Sequence, residues 1–198
     1  MEKKIILKED FINEFYKKIH YYKFLKLFKT RFTINYKNKE YKKYNSKAPK
    51  EIHTILKMVD ILNAENRREK YELIHDYACE YLDSEFQNKN VCGFKNNMCS
   101  CNRAKIKSKQ LSSCCESGKT RTICHNFNYQ KKCCNIQSLG CKLFICPHLR
   151  KKGVKYSIRK IPYLHYFLSP RQKLICITSI FQDKEITVDK FLKFYKMP

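Results

Sequence analysis

Apolar residues recur at helical spacing in several stretches of this chain, and the stretches between them lose the pattern. Over residues 10–29, Phe11, Phe15, Ile19 and Tyr22 lie three or four apart, which predicts an amphipathic helix with Asp10 as its N-cap. Lys17, Lys18, Lys23, Lys26 and Lys29 fill much of the remainder and read as its solvated face. Pro49 fits the first position of a second helix, whose stripe is Ile52, Ile55, Leu56, Val59 and Leu62. A third stripe follows in Leu73, Ile74, Tyr77, Tyr81, Leu82 and Phe86, with residues 63–68 as the turn. The pair is expected to pack as antiparallel helices. Cys79 falls in the second helix of the pair and reads as core. His53 and His75 read as surface or cap residues.

Residues 35–48 (NYKNKEYKKYNSKA) have no helical stripe. They read as a polar linker or loop. Their Tyr-Lys alternation would suit either a clamp on single-stranded nucleic acid or an edge strand guarded by lysine. Late in the chain, 161–168, 172–181 and 188–195 read as short helices or strands punctuated by Pro162 and Pro170, with Cys176 in a core run. The expected fold is mainly α: a helical protein with a loop-rich, metal-stapled cysteine module. Residues 1–88 would carry the basic helices and the helical hairpin, 89–153 the cysteine module, and 154–198 short helices packing on the rest as one compact unit. Only four glycines are present, which disfavours a turn-dense all-β fold and a glycine-rich phosphate loop.

Ten of the twelve cysteines lie between Cys92 and Cys146. Such a density means disulfides or metal. The run Ile5-Ile6-Leu7 is too short for the apolar core of a secretory signal, and no stretch approaches a membrane span of about 20 apolar residues. With Met1 at its start, the chain is expected to be cytoplasmic and without a membrane partner. Thiols stay reduced there, so the cluster reads as metal-binding.

The candidate ligands are Cys92, Cys99, Cys101, Cys114, Cys115, Cys124, Cys134, Cys141 and Cys146, with His125 and His148 in reserve. Neighbours in Cys114-Cys115 and Cys133-Cys134 point to opposite sides of an extended backbone, so one of each pair can face a metal. Cys141 and Cys146 are five apart, so a break must separate them if they share a metal. Those constraints leave Cys115, Cys134, Cys141 and Cys146 as one tetrad. Zinc is preferred, with a 4Fe-4S cluster as the alternative, since both accept four thiolates. The spacing Cys134-Asn-Ile-Gln-Ser-Leu-Gly-Cys141-Lys-Leu-Phe-Ile-Cys146, with Cys114-Cys115 upstream, resembles the closing motif of the bacterial cysteine-cluster proteins called YkgJ-type. Cys134, Ile136, Cys141, Lys142, Phe144 and Cys146 match that motif. The Arg-Pro of the family's gap and its C-x2-C-G opening are absent here. The resemblance covers about 35 residues and implies chelation of zinc or iron and little more.

The formal charge is +24, from 34 Lys and 8 Arg against 18 acids. It points to a polyanion, nucleic acid or ribosome, as partner, although lysine-rich coding drift produces the same total. The segregation is harder to assign to drift. Residues 17–50 hold twelve cations and one acid, residues 51–85 hold nine acids and four cations, and Glu116 is the sole acid between Glu85 and Asp183. Lys105, Lys107, Lys109, Arg121, Lys131, Lys132, Arg150, Lys151, Lys152, Arg159 and Lys160 are the candidate phosphate contacts. The function expected from the sequence is a metal-stapled, non-enzymatic nucleic-acid-binding or regulatory protein. A redox iron–sulfur protein and a metal sensor or chelator are the alternatives. No cofactor fingerprint or paired carboxylate supports an enzyme.

Overall fold

A computed structural model describes residues 1–7, 11–89, 91–93, 95, 100, 103–104, 127–128, 133–154 and 156–194. The chain is mainly helical. It divides into two compact units: Met1–Tyr77 with Pro162–Leu168, and Ala78–Ile161 with Ser169–Pro198. The division falls inside one helix, between Tyr77 and Ala78.

The first unit opens with a strand-helix-strand crossover. Strand β1 (Glu2–Ile6) and strand β2 (Arg31–Tyr36) are parallel, in register Glu2↔Arg31 through Ile6↔Asn35. A parallel pair needs a long connection, and helix α1 (Phe11–Lys26) supplies it. Its buried face is Phe15, Ile19 and Tyr22, the stripe expected from the sequence. Asp10, the expected N-cap, lies outside the described residues. Strand β3 (Lys39–Tyr41) returns antiparallel to β2. The connecting Lys37 and Asn38 both have positive φ, 50° and 61°, as a tight hairpin of this hand demands. So part of the 35–48 segment is the lysine-guarded edge strand, and β2 is the central strand. Being central, β2 buries Phe32, Thr33, Ile34 and Tyr36 without alternation.

Pro49 caps a short 3-10 turn (Lys50–Ile52) that runs into helix α2 (His53–Asn63). Seven of the eleven residues of α2 are buried, because β2 and α1 both pack on it. The Asn63 side chain at its end receives the Phe32 N–H and donates to the Phe32 carbonyl, both at 2.8 Å. It thereby completes the β2 backbone as a further strand would. Helix α3 (Arg67–Lys89) starts where the Asn66 side chain accepts the Glu69 N–H at 2.9 Å. His75 on α3 is fully buried, which corrects its reading as a surface or cap residue: helical spacing places it between Tyr71 and Ala78 on the core face. His53 does act near a helix start, with Nε2 2.7 Å from the Ala48 carbonyl oxygen.

In the second unit, Ala78, Cys79 and Leu82 of α3 are buried. Strands β4 (Phe127–Asn128) and β5 (Cys133–Cys134) form a short antiparallel ladder. Helix α4 (Leu139–Leu143) is capped by Ser138, and helix α5 (Pro147–Lys151) starts at Cys146 with Pro147 in its first turn. Helix α6 (Pro162–Phe167) belongs to the first unit and buries Tyr163, Leu164 and Phe167. Back in the second unit, helix α7 (Pro170–Thr178) opens on a Ser169–Gln172 capping box, and helix α8 (Lys184–Lys193) on Asp183. Helix α7 packs on both α4 and α8.

Candidate functional site

The break that the Cys141–Cys146 spacing demands is present. Helix α4 ends at Leu143, Phe144 is extended (φ −72°, ψ 121°), and Cys146 is extended again as the cap of α5. The two sulfurs then meet different surroundings. Cys141 Sγ accepts the backbone N–H of Phe181 at 3.2 Å. Cys146 is buried in a small core with Ile145 and Leu149, against which Val91, Cys92, Val154 and Tyr156 pack. Cys92 and Cys146, far apart in sequence, therefore share one cluster. Two residues past Cys146, the Nε2 of His148 is buried and has no hydrogen-bond partner among the described residues.

Cys79, Cys92, Cys141, Cys146 and Cys176 are thiols, not disulfides. Cys79 donates to the Gln137 carbonyl at 3.3 Å, and both Cys79 and Cys176 are buried as core residues. Burial pushes the Cys176 thiol up to about 12. Among the described residues, no group of three or more His, Cys, Asp or Glu side chains is arranged to hold a metal ion. Cys99, Cys101, Cys114, Cys115, Cys124 and His125 lie outside the described residues, and Cys134 is placed by its backbone alone. Of the remaining YkgJ-like positions, Lys142 is buried in an ion pair with Asp83, Ile136 is half-buried and Phe144 is exposed.

Of the expected phosphate contacts, Lys105, Lys107, Lys109, Arg121, Lys131 and Lys132 also lie outside the described residues. Arg150, Lys151, Lys152, Arg159 and Lys160 are all exposed. None of these five forms an ion pair with a described acid. The Arg150 Nε donates to the Ile145 carbonyl at 2.8 Å, which ties this cationic helix end to the core around Cys146.

The first unit holds a polar cluster that the sequence did not single out. Asp60 of α2 accepts the Tyr44 N–H (3.0 and 3.1 Å) and the Tyr77 hydroxyl (2.8 Å). The Lys57 ammonium lies 4.6 Å and 5.2 Å from the centroids of Tyr44 and Tyr77. Burial holds the Asp60 carboxyl above its usual range, against the pull of Tyr77, Tyr44 and Lys43. Asp60 and Lys57 thereby anchor Tyr44 to α2 and tie Tyr77 of α3 to the same helix. Asp60 also lines an open cavity of about 740 Å³ with Lys42, Lys43 and Asn63. Its only sequence signal is an acid on a strongly apolar helix.

Comparison of the chain with protein-family models, curated proteins and solved structures found no match. The resemblance to YkgJ-type proteins expected from the sequence rests on the spacing of residues 114–146 alone. Among the described residues, no helix is long and apolar enough to cross a membrane.

Proposed function

We propose that this chain is a non-enzymatic nucleic-acid-binding protein whose cysteine-rich segment is held together by zinc. The observation that carries the binding half is the exposed group Arg150, Lys151, Lys152, Arg159 and Lys160, with no acid among the described residues paired to it. Uncompensated cations at this density repel one another, and a phosphate backbone relieves that repulsion while releasing its own counterions. Arg150 is fixed to the backbone beside Cys146, so ordering of the cysteine segment also orders the cations that follow it.

The zinc half is supported by the shared cluster of Cys92 and Cys146 and by the buried nitrogen of His148, which has no hydrogen-bond partner among the described residues. A reduced thiol segment with few apolar residues gains its order from a metal more readily than from a core. Cys92 and Cys146 would each give a thiolate and His148 an imidazole nitrogen, the remaining ligands coming from residues 99–134.

Two measurements test the proposal. Metal analysis of protein purified without oxygen should give zinc and no visible chromophore; iron with sulfide and a brown colour would replace zinc by a cluster and favour redox chemistry. Titration of a labelled nucleic acid should give an affinity that falls steeply with salt. Lys151→Glu with Lys152→Glu should weaken binding and flatten the salt dependence while the fold persists. Unchanged binding would remove this surface from the function.

A further inference from the structure

Strand β1 is an edge strand, and between it and α1 runs a groove of about 530 Å³. Lys3, Lys4, Lys17 and Lys18 line it, with Tyr21 and, among the described residues, one acid, Glu14. Glu14 is paired with Lys18, and Lys4 reaches Glu40 at 3.1 Å, so no described acid pairs with Lys3 or Lys17. The Lys3 ammonium sits 5.1 Å from the Tyr21 ring centroid and 3.3 Å from its hydroxyl oxygen.

A second observation extends the groove. Lys17, Tyr21, Phe24 and Phe28 follow one another at spacings of four, three and four, along one face of α1 and into the turn after it. The three rings are 48%, 54% and 62% exposed. Phe24 and Phe28 touch edge to face, with centroids 5.3 Å apart. Aromatic rings of this size on a water-facing helix cost solubility without adding to the core. A row of them beside lysines matches the chemistry of unpaired bases, whose faces stack on aromatic rings while the phosphates meet cations. A duplex hides its base faces and would leave the row unused. A bilayer is flat and would meet the outer rings without entering the groove.

We infer that the β1–α1 groove and the Tyr21–Phe24–Phe28 row bind single-stranded nucleic acid, an assignment that rests on the nucleic-acid function proposed above. Lys3 and Lys17 would contact phosphates, and Tyr21, where the groove opens onto the row, would take the first stacked base.

The test uses the full chain as purified and fluorescence anisotropy. The probes are a labelled thymidine homopolymer, a labelled hairpin duplex, and vesicles of phosphatidylcholine with phosphatidylserine read by co-sedimentation. Wild type should hold the single strand more tightly than the duplex. Tyr21→Ala should weaken single-strand binding about tenfold or more, with the salt slope unchanged. Tyr21→Phe, which keeps the ring, should bind like wild type. Lys17→Glu should make the salt slope shallower. Duplex binding should not respond to Tyr21→Ala. If the single strand binds but Tyr21→Ala and Phe24→Ala are both silent, the groove assignment fails and the general nucleic-acid function survives. If wild type binds neither nucleic acid at low salt, both fail together. Sedimentation with vesicles in the absence of oligonucleotide binding would reassign the aromatic row to membranes and overturn the inference.

Discussion

The Gly140 α-carbon faces the Ser179 carbonyl so closely that a β-carbon there would lie 2.5 Å from both its carbon and its oxygen. The same two segments are joined at 3.0 Å by the Ser138 hydroxyl, which donates to that Ser179 carbonyl, and by the Phe181 N–H on Cys141 Sγ. The end of α7 therefore clamps the first turn of α4, the turn that carries Cys141. The obstructing atoms are backbone, so neither side can swing away. Gly140→Ala should cost about 1–3 kcal/mol, the range for overfilling a packed site. Ser138→Ala removes this buried hydrogen bond together with the cap on the Cys141 N–H and should cost about 2 kcal/mol. Urea unfolding of the two variants checks both costs; a Gly140→Ala protein as stable as wild type would mean that the clamp is loose.

Asp60 makes stability depend on pH in a direction opposite to that of a salt-bridged carboxylate. Its folded value is raised by burial, while in the unfolded chain it ionises at its ordinary value. Between the two values the folded state holds the extra proton. The group's stabilising contribution is thus complete at low pH and is lost as pH rises through the folded value. Tyr77→Phe removes a hydrogen bond that favours the carboxylate, so it should move the titration further up and widen that window. It should also cost about 1.5–3 kcal/mol when Asp60 is ionised. Carbon-13 NMR of the carboxyl gives the titration directly, and a value at or below that of a free aspartate would refute the burial argument.

Helices α1 and α2 were legible because each carries a stripe on one face. Phe15, Ile19 and Tyr22 mark α1, and Ile55, Leu56, Val59 and Leu62 mark α2. Strands β1 and β2 were not. Ile5 and Ile6 offer too short a run, and β2, buried on both faces, shows no alternation to set it apart from a helix segment. Missing β1 also hid the groove, since Lys17 and Tyr21 look like a solvated helix face until a lysine-bearing strand stands beside them. At the cysteines, the chain does break after Leu143, as a metal shared by Cys141 and Cys146 would require. What each sulfur then meets, Phe181 for Cys141 and Val91 with Cys92 for Cys146, depends on segments distant in the chain. Local spacing carries no information about such contacts.

Lys70 shows the energetic cost of gathering cations in the first unit. Burial, reinforced by Lys23, Arg67 and Lys26, lowers its amine to about 8, from an ordinary value of 10.5. Between those two values the unfolded chain holds a proton that the folded chain has released. Stability should therefore rise as pH increases through that window, and the full penalty should apply below it. Lys70→Met keeps the aliphatic stem and removes the charge. It should be more stable than wild type at neutral pH and should abolish the rise. Denaturant unfolding at neutral and alkaline pH tests both signs; a destabilised Lys70→Met protein would show that the ammonium has a partner that outweighs its burial.

Thiol alkylation separates the core cysteines from the proposed zinc ligands. Cys176, raised to about 12, presents almost no thiolate at neutral pH, and like Cys79 it is buried. Both should resist iodoacetamide in the native protein whether or not a chelator is present, and should react only on unfolding. Zinc-bound thiolates are also protected, but their protection ends when the metal leaves. Cys92 and Cys146 should accordingly stay unmodified in the purified protein and become alkylated after chelation, as read by peptide mass spectrometry. Cys146 is the informative position because it is as buried as Cys79. If burial alone protects it, the chelator changes nothing, and its place in the Cys92 cluster is packing. If the chelator exposes it together with Cys92 while Cys79 stays silent, the metal holds that cluster closed.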